Sequence, residues 1–264
     1  MLFFMSCLHR LMVNRPLLLL GVLALAPVLR AADSKPASDQ PTPLPRPVVI
    51  PRFNSTVTID GNLHESVWAK AAVIKPLLLN DGSPPGGEPT EVRLWYNQHA
   101  LFLGWICRDT NILATMTNRD DQLWEEEAVE FFITPNGLER YFEFQWNPLA
   151  TTFDAVVTNA LDSQGKSRSY RFDPTFNATN LTAAVVVNGS TSDASDRDES
   201  WQVEAMIPFT AFGPAPPKPG DVWRGNFFRI NRGTNQASQF FSWSPTGSPW
   251  FHQPNRFGDL EFGD

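Results

Sequence analysis

Apolar and polar residues alternate with a period of two in short runs over most of the chain: 56–60, 91–96, 101–107, 128–134, 140–147, 152–157, 182–187, 200–207, 222–231, 239–243 and 257–262. Gly, Pro and Asn punctuate the gaps, as in Pro84-Pro85-Gly86-Gly87 and Pro135-Asn136-Gly137. A two-residue period puts alternate side chains on opposite faces of a strand, so these eleven runs read as strands. With no long amphipathic helix between them, they predict an all-β fold, an antiparallel β-sandwich of jelly-roll type. One short helix is expected over 64–71, where Leu63, Val67, Trp68 and Ala71 fall at helical spacing behind the turn Asp60-Gly61-Asn62.

The segment 120–134 carries most of the candidate chemistry. Val129, Phe131 and Ile133 alternate with Glu130, Phe132 and Thr134, so a strand that buries the first set turns Glu130 to the opposite face. Trp124 stands six residues before that carboxylate. In 140–147, Phe142, Phe144 and Trp146 share one face while Tyr141, Glu143, Gln145 and Asn147 share the other. Such a polar face is either solvent-exposed or, set beside Glu130, an extension of the same surface as a floor of hydrogen-bonding groups. The turn Pro135-Asn136-Gly137 is short enough to join the two strands as a hairpin, which would make Glu130 a cross-strand neighbour of Glu143 or Gln145. An indole beside an outward carboxylate suits a polyol, whose C–H groups stack on the ring and whose hydroxyls donate to the acid.

Residues 1–32 read as a cleaved signal peptide. His9, Arg10 and Arg15 precede an apolar run over 17–29, and Ala31 or Ala32 supplies a small residue for cleavage. That run falls short of the roughly 20 residues of a membrane span. A secreted or periplasmic protein with no membrane span is expected. Residues 33–47, with five prolines, read as a linker, and 48–264 as one large β domain. Loss of the signal removes three of 21 basic residues and none of 28 acidic ones, leaving 18 against 28 and a net charge of −10. Such a balance argues against nucleic acid and anionic membranes and suits a neutral ligand or bound cations. Cys107 is the one cysteine outside the signal, so no disulfide can form within the mature chain. Its apolar surroundings predict a buried thiol. Asn-x-Ser/Thr sequons stand at Asn54, Asn177, Asn180 and Asn188.

The pieces Ile59-Asp60-Gly61-Asn62-Leu63-x-Glu65-x-x-Trp68-x-x-Ala71, Glu91-Val92-Arg93-Leu94-Trp95-Tyr96 with Leu101-Phe102-Leu103 and Asp109, and Trp124-x-x-x-Ala128-Val129-Glu130-x-Phe132 occur in that order. They continue with Trp201-x-x-Glu204-x-x-Ile207-Pro208-Phe209, Gly220-x-x-Trp223-x-x-Asn226-x-x-Arg229, Trp243-Ser244-Pro245 and His252-x-Pro254-x-x-Phe257-Gly258. Taken together the series resembles carbohydrate-binding module family 9 over nearly the whole mature domain. The resemblance implies a β-sandwich that binds a poly- or oligosaccharide between two tryptophans, often with structural calcium and with no organic cofactor. Trp124 and Glu130 match the first tryptophan and its carboxylate. The second falls to Trp243 or Trp250, with Trp243 the better fit to Trp-Ser-Pro, and Arg229 is the candidate basic partner. The position three after Trp124, commonly Asp, is Glu127 here.

Of nine tryptophans, Trp68, Trp201 and Trp223 lie where an apolar face would bury them, whereas Trp124, Trp243 and Trp250 stand among polar or turn residues. The expected ligand-binding set is Trp124, Glu130, Glu143, Gln145, Arg229 and Trp243. Asp60, Asp109 and Asp121 are candidate calcium ligands, against the alternative of a solvated acidic surface. His252 is expected to brace a loop. No Gly-x-Ser-x-Gly, His-Glu-x-x-His or phosphate-loop motif occurs, so binding without cleavage is the expected activity. Two alternatives stay open: a glycoside hydrolase using Glu130 with Glu143, and a haem-b domain drawing axial ligands from Met116, Met206 or His252.

Overall fold

In the computed structural model the described residues are 42–173, 175–233 and 237–264. The expected signal peptide and positions 33–41 of the expected linker lie outside them. The rest of that linker runs along the domain: Pro45 lies beside Gly258, and Arg256 Nη2 donates to the Pro43 carbonyl at 3.5 Å.

Among the described residues the strands are β1 (Val48–Ile50), β2 (Ala72–Ile74), β3 (Leu78–Leu79), β4 (Thr90–Tyr96), β5 (Ala100–Arg108), β6 (Ala128–Thr134) and β7 (Arg140–Trp146). They continue as β8 (Thr152–Leu161), β9 (Ser167–Asp173), β10 (Thr182–Asn188), β11 (Ser200–Pro208), β12 (Val222–Asn231), β13 (Gln239–Ser242) and β14 (Gly258–Phe262). One sheet runs β1-β14-β12-β6-β7-β8-β9, with β13 also on β12 and β3 on β13. The other runs β10-β11-β5-β4-β2. Every strand pair is antiparallel except β1 with β14. The expected β-sandwich is thus the observed fold. No helix of the described residues is long and apolar enough to cross a membrane.

The main core fills the space between the sheets, as the two-residue period requires. Val129, Phe131 and Ile133 from β6, with Phe142, Phe144 and Trp146 from β7, meet Leu103 and Trp105 of β5 and Val203 of β11. Phe131 stacks on Phe227 at 4.6 Å, and Trp105 packs on Trp146 at 5.4 Å. The expected β6–β7 hairpin forms, closed by Thr134 Oγ1, which donates toward the carbonyls of Asn136 and Gly137. Gly137 adopts φ 53°, a conformation that favours glycine.

Of the two alternatives for the outer face of this hairpin, the solvent-exposed one does not hold. Tyr141, Glu143 and Gln145 are all buried. Phe132, Tyr141, Val157 and Phe228 form a second apolar cluster there, roofed by Phe251 and Phe257 from the segment before β14. Phe228 and Phe251 stack at 4.2 Å. The large sheet therefore has cover on both faces.

Two local expectations change. The run 56–60 is not a strand, and the helix over 64–71 contracts to a 3₁₀ turn, Trp68–Lys70. Both follow from Glu204 on β11, which is fully buried. Its carboxylate accepts the backbone N–H groups of Asp60 at 2.9 Å and Gly61 at 3.1 Å and the indole N–H of Trp68 at 3.1 Å. Val57 and Ile59 then pack sideways against Trp68 and Trp95 rather than pairing in a sheet. Glu204→Ala leaves three donors without an acceptor and should lower the unfolding free energy in urea by about 2–4 kcal/mol. A loss below about 0.5 kcal/mol would mean that water replaces the carboxylate.

Candidate functional site

Strand register lines up one row of side chains across the outer face of the large sheet. Phe228 of β12 stands opposite Glu130 of β6, Glu130 opposite Gln145 of β7, and Gln145 opposite Phe153 of β8. In the next row Phe132 stands opposite Glu143, so Glu130 and Glu143 are diagonal neighbours on one face. Gln145 Nε2 donates to Glu143 Oε1 at 2.6 Å. These polar groups form the floor of a cavity of about 340 Å³, at the small end of the roughly 300–1,000 Å³ usual for small-molecule sites.

The walls are aromatic and come from four places. Trp124 sits in a 3₁₀ turn, Leu123–Glu125, whose position is held by Glu126: its carboxylate accepts the backbone N–H groups of Thr115 and Met116 at 2.8 and 3.1 Å. The indole stands edge-on to Phe153 at 5.3 Å and near Phe172 at 6.3 Å. Strand β9 contributes Tyr170 and Phe172, and β12 and β13 contribute Ile230 and Phe240. The loop before β14 brings Trp250, 49% exposed and edge-on to Tyr170 at 5.3 Å, into the same cavity as Trp124. His252 stacks on Tyr170 at 4.0 Å and shares a 2.5 Å hydrogen bond with the Tyr141 hydroxyl through Nδ1. Arg232 lines the rim, Nη2 donating to the Trp124 carbonyl at 2.9 Å and Nη1 to Ser238 Oγ at 3.2 Å.

Burial governs the protonation of this floor. It pushes the Glu143 carboxyl up to about 7, and it raises Glu130 well above the usual carboxylate range, with the Glu143 charge adding to the effect. His252 is driven down to about 4 by burial and is neutral at pH 7.

Four of the six expected ligand residues, Trp124, Glu130, Glu143 and Gln145, converge on the cavity. Arg229 and Trp243 do not line it. Arg229 shares the core-facing side of β12 with Phe227 and is fully enclosed, Nη2 bound to Asp109 Oδ2 at 2.6 Å and Nη1 to Thr90 Oγ1 and the Arg108 carbonyl. Trp243 packs against Phe227 and lies so close to Gly258 that a Cβ there would approach the ring to 2.6 Å. Trp250 and Arg232 stand in the cavity instead. The polar composition of β9 hid its Tyr170 and Phe172, whose alternate spacing was the available signal.

Asp60, Asp109 and Asp121 are held in separate places. Asp60 accepts from Asn62 of its own turn, Asp109 pairs with Arg229, and Asp121 accepts from Asn118. Among the described residues no group of three or more His, Cys, Asp or Glu could hold a metal ion. These three aspartates do not fit a shared calcium site. Glu127 is buried beside Asp109, and burial, with that neighbouring carboxylate, pushes its carboxyl up to about 10. Met116, Met206 and His252 lie in different packing groups, so they do not come together as axial ligands. Cys107 is buried and free, its thiol pushed up to about 12 by burial.

A family model described as Carbohydrate-binding family 9 matches residues 84–262. The chain belongs to carbohydrate-binding family 9. Solved structures share the fold of this family 9 chain. A Bacteroides uniformis protein superposes with a TM-score of 0.64 at 21% identity, over 82% of this chain and 99% of that one. A family 9 module of Caldicellulosiruptor kristjanssonii in complex with cellotriose gives 0.55 at 13% identity, over 81% and 93%. A structure of a family 9 module from the same organism with glucose gives 0.54 at 14%, over 81% and 96%. No curated protein matches the sequence of this family 9 chain.

The raised acid of Glu143 carries a sign for stability. A carboxyl at about 4.5 when unfolded and about 7 when folded favours the folded state fully below pH 4.5, and the contribution is lost as pH rises through 7. Glu143→Gln should therefore gain stability over the parent on moving from pH 5 to pH 8, by about 1–3 kcal/mol in urea denaturation. Parallel pH profiles for the two proteins would show that Glu143 titrates as an ordinary exposed acid.

Proposed function

We propose that this family 9 domain binds a glycan without cleaving it, a sugar ring lying between Trp124 and Trp250 above Glu130, Glu143 and Gln145, with Arg232 at the rim. One observation carries the reading: two indoles far apart in the chain line one cavity whose floor is carboxyl and amide. Aromatic faces offer stacking to ring C–H groups, and the polar floor offers partners for hydroxyls. The cellotriose and glucose complexes of the Caldicellulosiruptor module support a gluco-configured ligand. The apolar segment near the N-terminus supports export through a signal peptide cleaved near Ala31 or Ala32.

Hydrolysis is the second reading, favoured by the diagonal carboxyl pair whose acids are both raised. Reducing-sugar release from cellotriose over a long incubation separates the two. Binding without release is the expected result.

Trp250→Ala removes a half-exposed plate that the main core does not need. Calorimetric titration with cellotriose should show an affinity at least about tenfold lower, or ~1.4 kcal/mol, with an unchanged melting temperature. Undiminished affinity in this variant would remove Trp250 from the site.

A further inference from the structure

Acceptors crowd the floor of the cavity. Gln145 Nε2 is already bound to Glu143, and Gln145 Oε1 is buried with no donor, its side chain only 1% exposed. Among the described residues nothing donates a hydrogen bond to Glu130, and nothing but Gln145 donates to Glu143. Among the described residues no cation pairs with either acid. Arg229 points to the other side of β12, and Arg232, at the rim, has Nη1 on Ser238, Nη2 on the Trp124 carbonyl and its plane over Phe240 at 5.7 Å, with Nε unpaired and no bond to either acid. His252 is neutral, and the remaining titratable groups facing the floor are the phenols of Tyr141 and Tyr170. Around these acceptors stand ring systems, including Trp124, Trp250, Tyr170, Phe153 and Phe172.

Taking the cavity as the glycan site argued above, we propose that its ligand is an amino sugar with a free, protonated amine, the ammonium group seated on Glu130, Glu143 and Gln145 within the aromatic wall. An ammonium brings three donors and no acceptor, which is what a floor of unfilled acceptors lacks. Its charge is also attracted to ring faces, a contribution that grows when water is excluded. A neutral hydroxyl supplies one donor and no charge. Both acids are raised, so the pair holds a proton near neutral pH and releases it when the ammonium arrives. N-acetylation removes the charge and two of the donors together.

Titration calorimetry on the unmodified protein at pH 7 with cellotriose, the β-1,4 trimer of glucosamine and the trimer of N-acetylglucosamine tests this without any variant. The glucosamine trimer should bind at least tenfold more tightly than either of the others, with a heat that changes with buffer ionisation enthalpy because a proton leaves. Glu143→Gln should shrink the ratio of glucosamine-trimer to cellotriose affinity. Cellotriose or the N-acetylated trimer binding as tightly as the free amine would overturn the amino-sugar proposal while leaving glycan binding in place. Absence of binding by all three would overturn both.

Discussion

Two carboxyl groups held side by side on the covered face of one hairpin set the terms for the rest of the molecule. Glu130 and Glu143 are there because β6 and β7 alternate, and the inner half of that alternation is fixed by Phe131, Phe142 and Phe144 in the core. A one-residue slip would exchange the faces, bringing the acids into the core and the phenylalanines into the cavity. Register and site are therefore one property. The acids remain enclosed because the loop before β14 roofs the outer face. That loop is itself held by Phe251 on Phe228, by Arg224 donating to the Phe257 carbonyl at 2.6 Å and by Arg256 donating to the Pro245 carbonyl at 2.8 Å.

Enclosing two acids opposes folding, so the domain must find its stability elsewhere. The apolar core between the sheets supplies much of it, with ring pairs such as Phe131 on Phe227 adding to simple burial. A second contribution is the polar network made by Nη1 and Nη2 of Arg229. It ties β12 to β5 through the Arg108 carbonyl and to β4 through Thr90, while Asn231 donates to Glu88 at 2.7 Å. Because Asp109 there has a charged donor, that interior charge costs less than the uncompensated pair on the opposite face.

Much of the fold was legible in the sequence because strand period and turn residues are local signals. The hairpin, its parity and the convergence of Glu130 with Gln145 follow from alternation and one short turn. The choice between Trp243 and Trp250 did not, since a Trp-Ser-Pro pattern carries no information about which face of the sheet a loop folds over. Gly258 decides it, by leaving room for the Trp243 ring. The cover on the outer face was equally hidden: alternation alone leaves Tyr141, Glu143 and Gln145 as either a solvated edge or a hydrogen-bonding floor until a distant segment closes over them. The run 56–60 has the β pattern but loses its backbone donors at Asp60 and Gly61 to Glu204, a partner over 140 residues away.

The position of Arg229, one of two arginines in β12, explains why the cavity is acceptor-rich; the other, Arg224, is tied to the Phe257 carbonyl. Phe228 and Ile230 face the cavity side, so Arg229 between them must face the core. There it meets Asp109, a buried carboxylate that would otherwise have no counter-charge. Placing the guanidinium one position earlier or later would bring it to Glu130 and neutralise the floor, at the cost of stranding Asp109. The strand resolves that competition in favour of the interior. Arg232, beyond the end of β12, is held at the rim by the Trp124 carbonyl and fixes the aromatic wall rather than the acids. The unbalanced charge of the cavity is thus a consequence of strand parity, and it leaves the counter-charge to come from whatever enters.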